Sequence, residues 1–316
     1  MIEFSAPGKV VLWGEYAVLE GAPALVMAVN RLARCTVEPR SQDWQCRAEG
    51  FRADPERLSK AELSTRDLSL DGVSRVIAAV VQQIPQTPQG ADIFLDTSEF
   101  FAGGTKLGIG SSAAICTAAY AAIATLAEVN FSYERASQIH LQLQGGAGSG
   151  LDVAAAYFGG LQRFQDRSTA PWTLPANLHF RFFWTGNPAT TTSHIARFYA
   201  WERGSSNQEL AALSAASNTL FERTTVESLT HYVDCLKALD SAAELAIYDP
   251  AHTYLDTLAN RLQVVYKPSG AGGGDVGVAF SDDAGRLDSF VSAAAEQRIE
   301  MLPLEVAEYG IRATHR

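Results

Sequence analysis

Three glycine- and serine-rich segments, set far apart in the chain, hold the residues best suited to phosphate chemistry. Ala6-Pro7-Gly8-Lys9 runs into Gly14-Glu15-Tyr16. Lys106-Leu107-Gly108-Ile109-Gly110-Ser111-Ser112-Ala113 forms the second segment, and Lys267-Pro268-Ser269-Gly270-Ala271-Gly272-Gly273-Gly274-Asp275 the third. Bare N–H groups and small hydroxyls donate to phosphate oxygens at close range, and lysines beside them balance the charge. The P-loop spacing G-x-x-x-x-G-K-[ST] is absent, which disfavours a P-loop NTPase. Gly108 to Ala113 also fits the looser G-x-G-x-x-A dinucleotide pattern, with Glu128 placed to meet a ribose. Against that reading, Glu128 ends a helical stretch instead of a second strand, and Ser111 and Ser112 suit phosphate oxygens or Mg²⁺ better.

Plainer readings stand beside these. Ser111 and Ser112 can simply cap a helix, the third loop can be a flexible turn, and Asp152 can sit at a helix N-terminus for the dipole alone. Lys106 shifts the balance, because a cation beside a helix N-terminus is repelled unless an anion lies between them. Gly270, Gly272, Gly273 and Gly274 together carry an entropic cost that a ligand approaching the backbone closely would explain. If Lys9 reaches Asp152, the pair keeps the carboxylate ionised and sets positive charge beside a phosphate in transit.

The elements that must position these groups read as a mixed α+β chain. Residues 2–12 and 24–38 read as strands around a turn at Glu20-Gly21-Ala22-Pro23, which puts the first segment in a loop at a sheet edge or hairpin. Residues 53–69 read as a polar excursion, 74–84 as a helix and 91–96 as a half-buried strand. Ser111 to Val129 is Ala-rich and nearly uncharged, a buried helix whose N-terminus carries Gly110-Ser111-Ser112. A helix over about 133–144 leads into Gly145 to Gly150, and Asp152 opens a short helix. A strand at 178–184, helices over 190–262, strands at 262–266 and 276–280, and a final helix and strand near 284–297 and 299–306 complete the second half. Two domains are expected, 1–170 and 171–316.

In order and spacing these segments resemble the GHMP kinase superfamily, with Ala6 to Val18 similar to its first motif, Gly108 to Ala114 to its second and Ser269 to Asp275 to its third. The resemblance implies a ribosomal protein S5 domain 2-like N-terminal lobe, a ferredoxin-like C-terminal lobe and an active site between them. It implies ATP and Mg²⁺, with the phosphates on Lys106, Gly108, Gly110, Ser111, Ser112 and Ala113, and the metal on Ser112. Lys9 and Asp152 are the implied catalytic pair. Glu15, Tyr16, Ser149, Thr192, Ser269, Gly270, Ala271 and Gly272 are the implied substrate side. Gln144 with Gly148 to Ala154, Lys106, and Trp184-Thr185-Gly186 resemble the phosphomevalonate kinase branch most, so the implied acceptor is a phosphorylated alcohol, 5-phosphomevalonate. Where mevalonate kinases carry a metal-binding glutamate upstream of the aspartate, Leu141 stands here. A mevalonate kinase, another alcohol kinase of the superfamily, or a silent nucleotide-binding module are the alternatives.

The whole chain limits the rest. A net charge of −10 without a basic block argues against nucleic acid and anionic membranes as partners. Cys35, Cys46, Cys116 and Cys235 lack metal-ligand or disulfide spacing, which fits a reducing cytoplasm. No apolar run reaches the roughly 18–20 residues of a membrane span, and the first residues lack a leader pattern. The 316 residues leave the oligomeric state open.

Overall fold

The computed structural model describes residues 1–50, 54–146, 148–187, 191–204 and 207–314, with the side chains of 191–193 also outside the description. The chain opens with β1 (Ile2–Trp13), β2 (Ala24–Arg40), β3 (Asp43–Glu49), β4 (Glu56–Leu58), α1 (Lys60–Thr65), α2 (Ser74–Gln83) and β5 (Gly90–Asp96). There follow β6 (Phe101–Ala102), β7 (Thr105–Lys106), α3 (Ser111–Leu126), α4 (Tyr133–Leu143), α5 (Leu151–Phe158), β8 (Leu161–Gln165) and β9 (Ser168–Pro171). The first sheet runs β4-β3-β5-β2-β1, and β8 and β9 extend it from the opening residues of β2. α3 lies on β1 and β2, flanked by α2, α4 and α5. It is buried on every side from Ala113 to Ala124, as an uncharged Ala-rich helix must be to leave water.

Two sequence expectations give way here. Only the end of the first glycine segment is a loop: β1 runs straight through Ala6-Pro7-Gly8-Lys9, with register shifts between Pro7 and Gly8 and between Val11 and Trp13, and the turn comes at Gly14-Glu15-Tyr16. Proline cannot donate to a ladder, and a bulge is where a sheet tolerates that. Nor is 54–69 a mere excursion. Ser59 and Glu62 form a reciprocal capping box that starts α1, and Gln82 of α2 donates to the Leu63 and Arg66 carbonyls.

The second half contains β10 (His179–Trp184), α6 (Thr191–Glu202), α7 (Gln208–Glu222), α8 (Val226–Ala243), α9 (Pro250–Leu262), β11 (Val265–Pro268), β12 (Val276–Ser281), α10 (Ala284–Glu296) and β13 (Glu300–Leu302). Its sheet is antiparallel in the order β11-β12-β10-β13. Counting only its own strands, that order is 2-3-1-4 with helical crossovers after the first and third, which is the ferredoxin-like arrangement. α9 and α10 cover it through a separate apolar cluster built on Phe183, Leu255, Tyr266 and Phe290.

The chain then returns. Asn30 and Ala307 N–H groups bond to the Glu305 and Ala28 carbonyls, and β14 (Arg312–Ala313) pairs with β1 at Phe4 and Ser5. The expected strand over 299–306 thus stops at Leu302, where the chain leaves the second sheet for the first. All four cysteines are buried free thiols. Among the described residues no helix is long and apolar enough to cross a membrane.

Candidate active site

Lys9 is aimed by its backbone. Its N–H donates to the Ile109 carbonyl at 2.8 Å, joining the first segment to the second. That approach requires bare backbone on both sides. A side chain on Gly8 would meet the Ile109 oxygen, and one on Gly110 would meet the Lys9 stem at 2.8 Å while φ is +82°. The Lys9 Nζ then lies 3.3 Å from Asp152 Oδ1, with the two side chains only 14% and 32% exposed. Asp152 stands in the first turn of α5, where the dipole favours a carboxylate.

The third segment is lashed to the first. The Ser269 hydroxyl accepts from the Val11 N–H and donates to the Val11 carbonyl, both at 3.0 Å. The Tyr16 hydroxyl donates to the Ala271 carbonyl at 2.6 Å. Glu15 is wholly buried and forms an ion pair with Lys267, which has no exposed surface. The other Glu15 oxygen accepts from the Tyr232 hydroxyl at 2.7 Å, and that hydroxyl accepts from the Gly14 N–H at 2.8 Å. Burial pushes the Lys267 ammonium below its ordinary value, and the Glu15 carboxylate opposes this. Glu15, Tyr16 and Ser269 line the cleft, and their polar atoms are engaged in holding the third loop.

The cleft has two chambers with a common wall. One, of about 130 Å³, is lined by Glu15, Tyr16, Ser149, and Ser269 to Gly272. The other, of about 830 Å³, is lined by Arg75, Lys106, Gly110, Ser111 and Ser112. The larger has the several hundred Å³ that a small ligand needs. Lys9, Gly108, His140, Gln144, Asp152, Ile195 and Asp275 border both. A helix N-terminus opens on each chamber: α3 starts at Gly110 and α5 at Gly150, neither with a side-chain cap. First-turn N–H groups have no intrahelical acceptor, so both ends present donors to an anion.

The site residues read from the sequence divide accordingly. Lys9 and Asp152 meet, and Lys106, Gly108, Gly110, Ser111 and Ser112 gather around the larger chamber. The helix cap is Gly110, so the two serines are not spent as caps. Ala113 is buried beneath the loop and lines neither chamber. Ser149 accepts from the Leu151 N–H at 3.3 Å, and Gly270, Ala271 and Gly272 frame the smaller chamber. Thr192 falls in α6, but its side chain lies outside the described residues.

Sequence reasoning named Lys267 and Asp275 only within the third segment, and it gave neither of them, nor Tyr232 or His140, a role of its own. Lys267 had a signal, a lone charge in an apolar strand. His140 and Gln144 had another, two polar side chains one helical turn apart. Asp275 lies with its side chain against Gly108, bringing the third loop onto the second.

His252 fixes the far end of the third loop. The Gly274 carbonyl can only accept, so Nε2–H donates to it at 2.9 Å, and Nδ1 accepts from the Tyr266 hydroxyl at 2.7 Å. Burial lowers the pKa of His252 and of His140 from the ordinary 6.5. Below pH 6.5 the unfolded chain therefore takes up protons that the folded chain refuses. Stability conferred by the neutral rings is complete above 6.5 and declines as pH falls toward their folded values. Between pH 7.5 and 5.5, urea titrations should show stability falling with pH, and His252→Gln should flatten that slope. A slope unchanged by that substitution contradicts the neutral assignment.

Residues 72–160 match the model of the GHMP kinases N-terminal domain. A phosphomevalonate kinase of Streptomyces sp. (strain CL190) is 28% identical, over 97% of this chain and 97% of its own. A mevalonate kinase of Archaeoglobus fulgidus is 31% identical over 57% of this chain and 56% of its own. The fold is shared with Streptococcus pneumoniae phosphomevalonate kinase, solved in complex with phosphomevalonate and AMPPNP, with a TM-score of 0.78 and 21% identity over 97% and 100% of the two chains. Residues 72–160 thus carry a GHMP kinases N-terminal domain, and with these kinase relatives the chain is a phosphotransferase.

Proposed function

We propose that this chain transfers the γ-phosphoryl group of ATP to the phosphate of 5-phosphomevalonate, giving 5-diphosphomevalonate and ADP. The observation that carries the reading is the Lys9–Asp152 pair on the wall between two chambers, each with an uncapped helix N-terminus. In this reading residues 1–170 form the nucleotide lobe and 171–316 the second lobe, tied together by the returning C-terminal strand. The reaction belongs in the cytoplasm, where the thiols stay reduced.

ATP phosphates lie on the α3 N-terminus, with Lys106, Gly108, Gly110, Ser111 and Ser112 around them. Among the described residues no three His, Cys, Asp or Glu side chains gather into a metal cage. That suits Mg²⁺, which keeps few protein ligands and rests on phosphate oxygens, and the Ser112 hydroxyl is the residue that would hold it. Bound there, the ion would neutralise charge on the transferring phosphates.

An oxygen of the acceptor phosphate forms the new bond to the γ-phosphorus as the bond to the bridging β,γ-oxygen breaks. A phosphate monoester, whose second pKa is about 6, is already largely anionic at pH 7. Asp152 therefore has little proton to remove and instead holds the Lys9 ammonium at the junction, where it meets charge developing on the transferred group. Ser149, Thr192 and the third loop make up the acceptor side.

Sequence similarity to the Streptomyces phosphomevalonate kinase along nearly all of both chains supports the acceptor. The partial similarity to a mevalonate kinase supports a second reading with mevalonate itself. Measuring ADP release with phosphomevalonate, mevalonate and galactose decides between them. Phosphomevalonate should give a kcat/KM at least roughly tenfold above the others, about 1.4 kcal/mol in transition-state binding. Higher turnover of mevalonate selects the second reading, and ATP binding without turnover of any acceptor overturns both.

A further inference from the structure

His140 has no part in the reading so far. It closes the last turn of α4, is 2% exposed, and borders both chambers beside Lys9 and Asp152. Its Nε2 is buried without a hydrogen-bond partner among the described protein atoms. Buried polar groups are almost always paired, and this nitrogen, closed off from solvent, gains a partner once the ring edge shifts toward an acceptor bound in the cleft.

The surroundings define that partner. Asp152 and Lys9 both act on the ring electrostatically and with opposite signs, so His140 stands close to the ion pair itself. Gln144, one turn on, lines the same wall. The N-terminus of α5 adds backbone donors to that side of the smaller chamber. An imidazole N–H, an amide and a helix N-terminus together suit an oxyanion, whereas an uncharged hydroxyl would leave most of those donors unused.

We propose that His140 Nε2 donates a hydrogen bond to the phosphate of the acceptor, and so makes the cleft prefer a phosphorylated alcohol to its unphosphorylated parent. The inference rests on the acceptor reading above. His140 does not move the transferred group. It fixes the nucleophilic phosphate beside Lys9, and its effect belongs in acceptor binding and in discrimination between acceptors.

The test uses the full-length protein with His140→Leu and His140→Gln. His140→Leu should raise KM for phosphomevalonate at least roughly tenfold and leave KM for ATP within about twofold. The ratio of kcat/KM for phosphomevalonate over mevalonate should fall by a similar factor, and His140→Gln, which keeps an N–H donor, should restore part of it. Removing an unpaired buried nitrogen should leave the melting temperature unchanged or raise it, since an apolar replacement lifts a desolvation cost. A packing role for His140 predicts the reverse, a lower melting temperature with acceptor KM intact, and that result overturns the proposal. So does a KM change confined to ATP. If wild-type protein turns over phosphomevalonate while the variants behave as the packing role predicts, this inference alone fails. If wild-type protein does not turn over phosphomevalonate, the acceptor reading fails and this inference falls with it.

Discussion

Asp152→Asn should lower kcat by on the order of 10² or more with little change in folding, and Lys9→Met should do the same. Asparagine matches aspartate in size and removes only the charge, so the loss reads the ion pair and not packing. The pair spans 3.3 Å with Asp152 about one-third exposed, and such partly solvated pairs contribute about 1 kcal/mol or less to stability. Melting temperatures should therefore stay close to wild type. The two substitutions should also fail to add. If Asp152 works by holding Lys9, the double variant should be no slower than the worse single one. An acceptor hydroxyl would behave differently, because it carries a proton that must leave, and Asp152→Asn would then cost far more than Lys9→Met. Steady-state kinetics of the three variants, with thermal melts as the folding control, settle the matter. Near-normal turnover in either single variant removes that residue from the mechanism.

What the sequence makes legible follows from what is local. The helices α2 to α5 and α10, and the strands β10 and β12, have clear periodicity, and their observed ends lie close to the expected ones. β3 is also readable in retrospect, since Trp44 and Cys46 alternate with less buried neighbours, but the run is short and charged. β14 has no such signal. Two residues have no period, and only the long-range pairing with Phe4 and Ser5 defines them as a strand.

The site divides along the same line. A lysine beside a glycine-rich loop reads as a phosphate ligand whether it is Lys106 or Lys267. Lys106 is exposed at the larger chamber, whereas Lys267 is buried against a carboxylate from a segment more than two hundred residues away. Burial alone separates the two, and burial is not written in a spacing. Gly108 and Gly110 were legible as places of close approach. What approaches them includes protein, namely the Asp275 side chain and the Lys9 stem, so part of the glycine signature serves assembly of the cleft before any ligand arrives.

The largest effect on folding should come from breaking the Glu15–Lys267 pair. Lys267→Met leaves the Glu15 carboxylate buried with only the Tyr232 hydroxyl and a long contact of 3.4 Å from the Gly270 N–H. Glu15→Gln leaves an ammonium buried with no counter-charge. Either should cost about 3–5 kcal/mol, the range for removing one member of a buried ion pair. In a protein of this size that lowers the melting temperature by roughly 5–8 °C. The double variant Glu15→Gln with Lys267→Met should be more stable than Lys267→Met alone, because no uncompensated charge remains. Function should not return with stability. The pair joins the end of the first segment to β11, and Glu15 also reaches Tyr232 and the Gly270 N–H, so the double variant frees the third loop from one of its three ties to the first segment. The Tyr16 and Ser269 ties would remain. KM for the acceptor should therefore stay several-fold raised in the double variant even where its melting temperature recovers. A double variant as unstable as Lys267→Met would show that the loss came from packing and not from charge, and one with wild-type KM would show that the loop is held without the pair.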